Sequence, residues 1–219
     1  MREVVVLIHG LWKTGSDMWR LRQRLEKAGY ECRHFKYKSL RRSPEENARQ
    51  LHQFVSKIDA PVIHYVCHSL GGVVLLNYFD LHPSLKRGRA VLLGSPVNGS
   101  EVAKRLSRHW YSRWLVGHSA NDGMLGPGPE WNSWRELGVI AGTMPVGVGL
   151  LFGRLSLPHD GTVSVSETEL HGATDFITLP VSHTGLLYSA KVAQQTITFL
   201  RAGKFGDEAG NLLLEGEPG

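Results

Sequence analysis

Ser69 stands in the run Cys67-His68-Ser69-Leu70-Gly71-Gly72, and its setting is that of a nucleophile. A serine hydroxyl is weakly nucleophilic and needs a base, normally a histidine oriented by a carboxylate. Two later stretches offer both. His159-Asp160-Gly161-Thr162 presents an acid in a tight turn, and Ser182-His183-Thr184-Gly185 presents a histidine just before the last helix. Ser69, Asp160 and His183 together suit acyl transfer: the serine attacks a carbonyl, the histidine takes its proton and the acid holds the imidazole. The oxyanion so formed needs N–H donors aimed at it. The backbone of Leu70, next to the nucleophile, is expected to give one. Leu11, in the loop His9-Gly10-Leu11-Trp12-Lys13-Thr14-Gly15, is expected to give the other, with Gly10 allowing close backbone approach.

These residues need elements to hold them. The run Pro61-Val62-Ile63-His64-Tyr65-Val66 is short, β-branched and bounded by proline, so it predicts a buried strand. After the serine, Val73-Val74-Leu75-Leu76-Asn77-Tyr78-Phe79 predicts a packed helix. Ser69 then lies where a strand ends and a helix begins, and N–H groups and the helix dipole there favour negative charge. Along the chain, strands are expected at 4–9, 32–37, 62–67, 90–94, 138–143 and 175–179, and helices at 16–28, 44–57, 70–81, 100–109 and 184–201. Ser16 reads as an N-cap, and Ser43-Pro44 with Glu46 as a capping box. The alternation predicts an α/β fold: a mostly parallel six-stranded sheet flanked by helices. Asp160 and His183 each follow a late strand, so all three chemical residues fall at carboxyl ends of separate strands.

Residues 1–202 read as one domain and 203–219 as a flexible tail. Within the domain, 98–137 departs from the pattern, carrying Trp110, Tyr111, Trp114, Trp131 and Trp134 among glycines and prolines. It is expected to form a cap-like insertion over the carboxyl edge of the sheet, where ligands bind in such folds. Trp12, His68, Trp110 and Trp114 are the candidates for lining a substrate pocket.

Composition narrows the partners. The net charge of +5 gathers early, in Arg20, Arg22, Arg24 and Lys27 and then Arg33, Lys36, Lys38, Arg41 and Arg42, without a nucleic-acid motif. No nucleic-acid partner is expected, whereas the basic excess suits transient contact with an anionic membrane surface. No run approaches the roughly 18 apolar residues of a membrane span, and the amino terminus reads as a core strand rather than a signal peptide. With two cysteines, Cys32 and Cys67, the expected location is cytoplasmic. No His, Cys or carboxylate set has zinc-ligand spacing, so neither metal nor cofactor is expected. Nothing in the sequence fixes the number of subunits.

On His9-Gly10, the elbow at Ser69, Gly94-Ser95-Pro96-Val97-Asn98-Gly99-Ser100, Asp160-Gly161-Thr162-Val163-Ser164-Val165 and Ser182-His183, the chain resembles the α/β-hydrolase superfamily. Within it, the resemblance is to compact serine lipases and esterases related to the inositol-deacylase-like lipases. The matching pieces run from residue 4 to residue 201. The resemblance implies the fold, ester hydrolysis through an acyl-enzyme, a small-molecule or lipid acyl ester as substrate, and the roles of Ser69, Asp160 and His183. It also implies that this chain lacks the first two strands of larger members. One position departs from the pattern: Cys67 stands where glycine is usual, and it reads as a buried residue beneath the elbow.

Other residues carry plainer readings. His64 reads as a core histidine, His9 as a shaper of the oxyanion loop, and His159 as a loop or pocket-rim residue. His68 reads as a packing or pocket residue rather than a second base. Asp175 and Asp122 are rival candidates for the acid and are less favoured than Asp160, the first standing at the wrong end of a strand and the second ahead of one. Acyltransferase or thioesterase chemistry would use the same triad, and a non-catalytic ligand-binding protein would be expected to lack one of its members.

Overall fold

The computed structural model describes residues 2–11, 16–82, 86–108, 128–132, 134–147, 149 and 155–206. Among them, six strands form one sheet: β1 (Glu3–Ile8), β2 (Glu31–Phe35), β3 (Val62–His68), β4 (Ala90–Leu93), β5 (Leu137–Gly142) and β6 (Asp175–Leu179). Their order is β2-β1-β3-β4-β5-β6, and every neighbouring pair is parallel. Parallel strands need crossovers, and helices fill them on both faces. This explains the unbroken apolar runs: Val4 to Ile8 are all fully buried because each face of β1 has a cover.

The pleat divides β1 between two cores. Val4, Val6 and Ile8 face α2 (Pro44–Val55), α3 (Leu70–Leu81) and α4 (Glu101–Arg108). Val5 and Leu7 face α1 (Trp19–Lys27), α6 (Gly185–Tyr188) and α7 (Ala190–Ala202). Helix α3 is apolar all round and buried from Leu70 to Phe79, as a helix must be when covered on every side. Ser43 accepts from the Glu46 N–H while the Glu46 carboxylate accepts from the Ser43 N–H, the capping box read from the sequence.

Three expectations change in detail. Ser16 opens a short 3-10 turn (Ser16–Met18), and α1 starts after it with Met18 as its cap. The single helix expected at 184–201 is two, because Ser189 turns extended and its hydroxyl accepts from the Val192 N–H to start α7. A short helix, α5 (Val165–Thr168), forms where none was expected, under a second capping box between Ser164 and Glu167. The sequence carried its signature, Ser164-Val165-Ser166-Glu167.

The described ends of the 98–137 stretch pack into the body. Val102, Ala103 and Leu106 of α4 are buried. Trp131 meets Phe79 edge-on at 5.3 Å and donates its indole N–H to the Arg135 carbonyl. Trp131 and Trp134 precede β5, so they sit at the amino edge of the sheet, away from Ser69. Residues 109–127 and 133, and the tail from 207, lie outside the described residues. No helix among the described residues is long and apolar enough to cross a membrane.

Candidate active site

Ser69 joins β3 to α3 at φ 54 and ψ −124. Among the described residues it is the one non-glycine at positive φ, a conformation that costs on the order of 1–3 kcal/mol and persists only where its surroundings impose it. The surroundings are legible. The Ser69 N–H donates to the Leu93 carbonyl at the end of β4 (3.0 Å), and its carbonyl accepts from the Gly72 N–H (3.0 Å). Its side chain makes no cap bond to α3, so the hydroxyl is not spent on the helix's own N–H groups. Gly71 lets the helix press on the end of β1, where a Cβ would run into the carbonyls of Ile8 and His9. Cys67, below the turn, is fully buried in the core, and burial pushes its thiol well above the ordinary range.

The expected oxyanion loop leaves β1 beside this turn. A Cβ on Gly10 would lie 3.0 Å from the Ser69 Cβ, so only glycine lets the strand end come this close. His9 is 1% exposed, and its Nδ1 donates to the Gly10 carbonyl at 2.8 Å. A peptide N–H points opposite to the carbonyl of the same plane, so fixing Gly10 C=O on the ring turns the Leu11 N–H to the other side. Tyr37 holds His9 in turn: it stacks on the ring at 4.4 Å and donates its hydroxyl to the His9 carbonyl at 2.7 Å. Burial holds the His9 imidazole below its usual range. Leu70 is the first residue of α3, where the helix leaves its N–H groups without intrahelical partners.

Asp160 is 1% exposed and fully engaged. Its Oδ1 accepts from the N–H groups of Thr162 (2.9 Å) and Val163 (2.7 Å), closing the turn, and its Oδ2 accepts from His183 Nδ1 at 2.7 Å. An ionised carboxylate only accepts, so the His183 proton sits on Nδ1 and Nε2 is left as a base. The His183 N–H also donates to the Asp160 carbonyl at 2.9 Å. Gly94 makes room for this pair: a Cβ there would stand 3.1 Å from Asp160 Oδ2 and 3.2 Å from His183 Nδ1.

The acid turn is tied to the loop after β4 by residues with no assigned role in the sequence reading. Asn98 donates to the carbonyls of Ser166 (3.1 Å) and Glu169 (2.6 Å). Glu167 accepts from Ser164 on one oxygen and from the Glu101 N–H at the start of α4 on the other. Burial raises its carboxyl above the usual range, against the pull of those donors. Residue type hinted at this network, but the partners lie more than 60 residues apart.

Several candidates fall elsewhere. His68, expected in the pocket, is 3% exposed, and its Nε2 faces the His183 carbonyl rather than open space. His64 is a core histidine that accepts the Arg89 N–H on Nδ1 and meets Glu3 at 3.2 Å through Nε2. His159 is buried and accepts the Gly161 N–H within the acid turn. Asp175 serves the amino edge, accepting from the Phe176 and Phe205 N–H groups. Trp12, Trp110, Trp114 and Asp122 lie outside the described residues. A cleft of about 620 Å³, lined by Glu3, His64, Arg89 and Trp134 among others, opens at the opposite, amino edge of the sheet. Among the described residues no group of three or more His, Cys, Asp or Glu side chains is arranged to hold a metal ion.

Comparison with known proteins follows the same lines. A family model described as "Alpha/beta hydrolase family" matches residues 5–195. No curated protein matches the sequence. Among solved structures, a lipase of Bacillus licheniformis in its mature form superposes with a TM-score of 0.68 at 18% identity, over 92% of this chain and 92% of that one. A phospholipase of Legionella pneumophila, solved with thio-NAD, gives 0.65 at 18%, over 90% of this chain and 55% of that one. A pyrethroid hydrolase of Sphingobium faniae gives 0.62 at 15%, over 92% and 98%. At these identities the likeness is one of fold.

Proposed function

The chain belongs to the alpha/beta hydrolase family, and from that premise we propose that it is a serine hydrolase of carboxylic esters, an esterase or lipase, working through Ser69, His183 and Asp160. His183 Nε2 takes the Ser69 hydroxyl proton as Oγ attacks the ester carbonyl. The tetrahedral oxyanion is held by the N–H groups of Leu11 and Leu70. Its collapse breaks the C–O bond, and the leaving alkoxide takes the proton back from Nε2. Water, deprotonated by the same nitrogen, then attacks the acyl-serine, releasing the carboxylic acid and free Ser69.

One observation carries the reading: the 2.7 Å bond from His183 Nδ1 to the buried Asp160 carboxylate, formed at the sheet edge where Ser69 is held at φ 54. A strained serine after β3 and a tautomer-fixed histidine after β6, both at the carboxyl edge of one parallel sheet, suit acyl transfer. That structural neighbours include a lipase, a phospholipase and a pyrethroid hydrolase supports an ester or lipid substrate. Cytoplasmic location belongs to the same reading, supported by two free, buried cysteines.

Labelling with a fluorophosphonate probe tests the nucleophile. The wild-type protein should be labelled and should hydrolyse p-nitrophenyl esters, and Ser69→Ala should do neither. An active Ser69→Ala variant overturns the proposal. A rate series over p-nitrophenyl esters of rising chain length, below and above their solubility limits, separates an esterase from a lipase.

A further inference from the structure

We propose that His68 is a positioning residue, which holds the base His183 in register with Ser69; the proposal rests on the triad reading above. His68 is the last residue of β3 and the neighbour of the nucleophile. A carbonyl oxygen can only accept, so at 3.0 Å His68 Nε2 donates its proton to the His183 carbonyl. The two rings lie 4.6 Å apart between centroids, tilted by 44°. On its far side the His68 ring abuts the oxyanion loop, since a Cβ on Gly10 would stand 3.2 Å from Nδ1. One buried side chain therefore touches the loop of the base and the loop of the oxyanion donor while its own backbone carries the nucleophile.

The need for such a link follows from how His183 is otherwise held. Its N–H and its Nδ1 both bond to Asp160, so both tie it to the acid turn. Those bonds fix the ring relative to Asp160, but they set nothing relative to Ser69, which rides on another strand. The His68 bond to the His183 carbonyl supplies that connection. A buried imidazole is costly unless its N–H finds an acceptor, and here the acceptor is the backbone whose placement the reaction requires. A misplacement of about 1 Å at a reacting pair can cost on the order of 100-fold in rate.

Three variants separate the donor from the ring. His68→Gln keeps a planar N–H donor with nearly the reach of Nε2. His68→Phe keeps the ring volume and loses the donor, and His68→Asn keeps a donor that stops short. With kcat expressed per fluorophosphonate-titrated site, His68→Phe should fall about 100-fold with KM little changed, and His68→Gln should return to within a few fold of wild type. If His68→Phe does not fold, His68→Asn takes its place with the same expectation. Wild-type kcat in the Phe or Asn variant overturns the proposal, as does an equal loss in Gln and Phe, which would make volume the requirement. Ser69→Ala, assayed alongside, keeps the two readings apart: its activity would overturn both, whereas its inactivity beside a fully active His68→Phe overturns the positioning role alone.

Discussion

Replacing Asp160 with asparagine changes one proton's place and almost nothing else. Asp160 Oδ1 closes its turn on the Thr162 and Val163 N–H groups, while Oδ2 faces His183 Nδ1 at 2.7 Å. Asparagine can keep its carbonyl on those two N–H groups, and its amide then confronts Nδ1. Two donors cannot share a proton. The ring must accept at Nδ1 and carry its proton on Nε2, where the base for Ser69 should be. A wrong tautomer of this kind costs about 10⁴-fold in kcat, or about 5 kcal/mol of barrier. Stability should change little, because the turn donors stay satisfied. Asp160→Ala is the contrast: it orphans the buried Val163 N–H at about 1–3 kcal/mol and the part-buried Thr162 N–H at less, a sizeable share of a domain's roughly 5–15 kcal/mol. Hydrolysis of p-nitrophenyl butyrate, paired with thermal unfolding followed by circular dichroism, reads both effects. The reasoning fails if Asp160→Asn keeps activity within tenfold of wild type. It fails equally if the two variants unfold at the same temperature, since the turn would then not depend on Oδ1.

Three further outcomes follow from the same geometry. Cys67→Ala should retain activity and probe labelling at a cost of about 1 kcal/mol, since the buried thiol stays protonated and only its volume is lost; loss of labelling would give Cys67 a part in the chemistry. Gly71→Ala should destabilise the protein by at least about 1–3 kcal/mol, measured by urea unfolding, because the new methyl meets the Ile8 and His9 carbonyls; an unchanged midpoint would mean that the elbow has slack. Burial holds His9, His34 and His64 below the ordinary imidazole value of 6.5, aided at His34 by Arg22 and opposed at His64 by Glu3. The unfolded chain therefore binds more protons just below that value, so their stability contribution is present above it and is lost as pH falls through the folded values. Urea midpoints should drop between about pH 7 and pH 5 and drop less in His64→Asn; a midpoint that rises on acidification reverses the sign and refutes the assignment.

Much of the site is legible along the chain because its signals are local. The strand-turn-helix around Ser69 is written in an apolar β-branched run, a serine and two glycines, and each acts on its immediate neighbours. The capping box at Ser43 and Glu46 is a contact across three residues, and it forms as read. The box at Ser164 and Glu167, and the cap at Ser189 that divides the last helix, are equally local.

His68 shows the other kind. Adjacency to Ser69 suggested the pocket, but which way a ring turns at a strand end depends on what stands opposite, and the His183 carbonyl is 115 residues away in sequence. Trp131 and Trp134 likewise take their place from packing, since they lead into β5 at the amino edge of the sheet. Signals between chain neighbours are enough for the alternating elements, the elbow, and the order in which a serine, an acid and a histidine come after separate strands. It takes the packed fold to bring Asp160 and His183 to 2.7 Å, to leave room for them at Gly94, and to brace the acid turn with Asn98 and Glu167. The division is physical. Propensity, capping and periodicity are energies of neighbours along the chain, whereas a side chain's partner across the sheet is chosen by register, and register is settled only when all six strands pack at once.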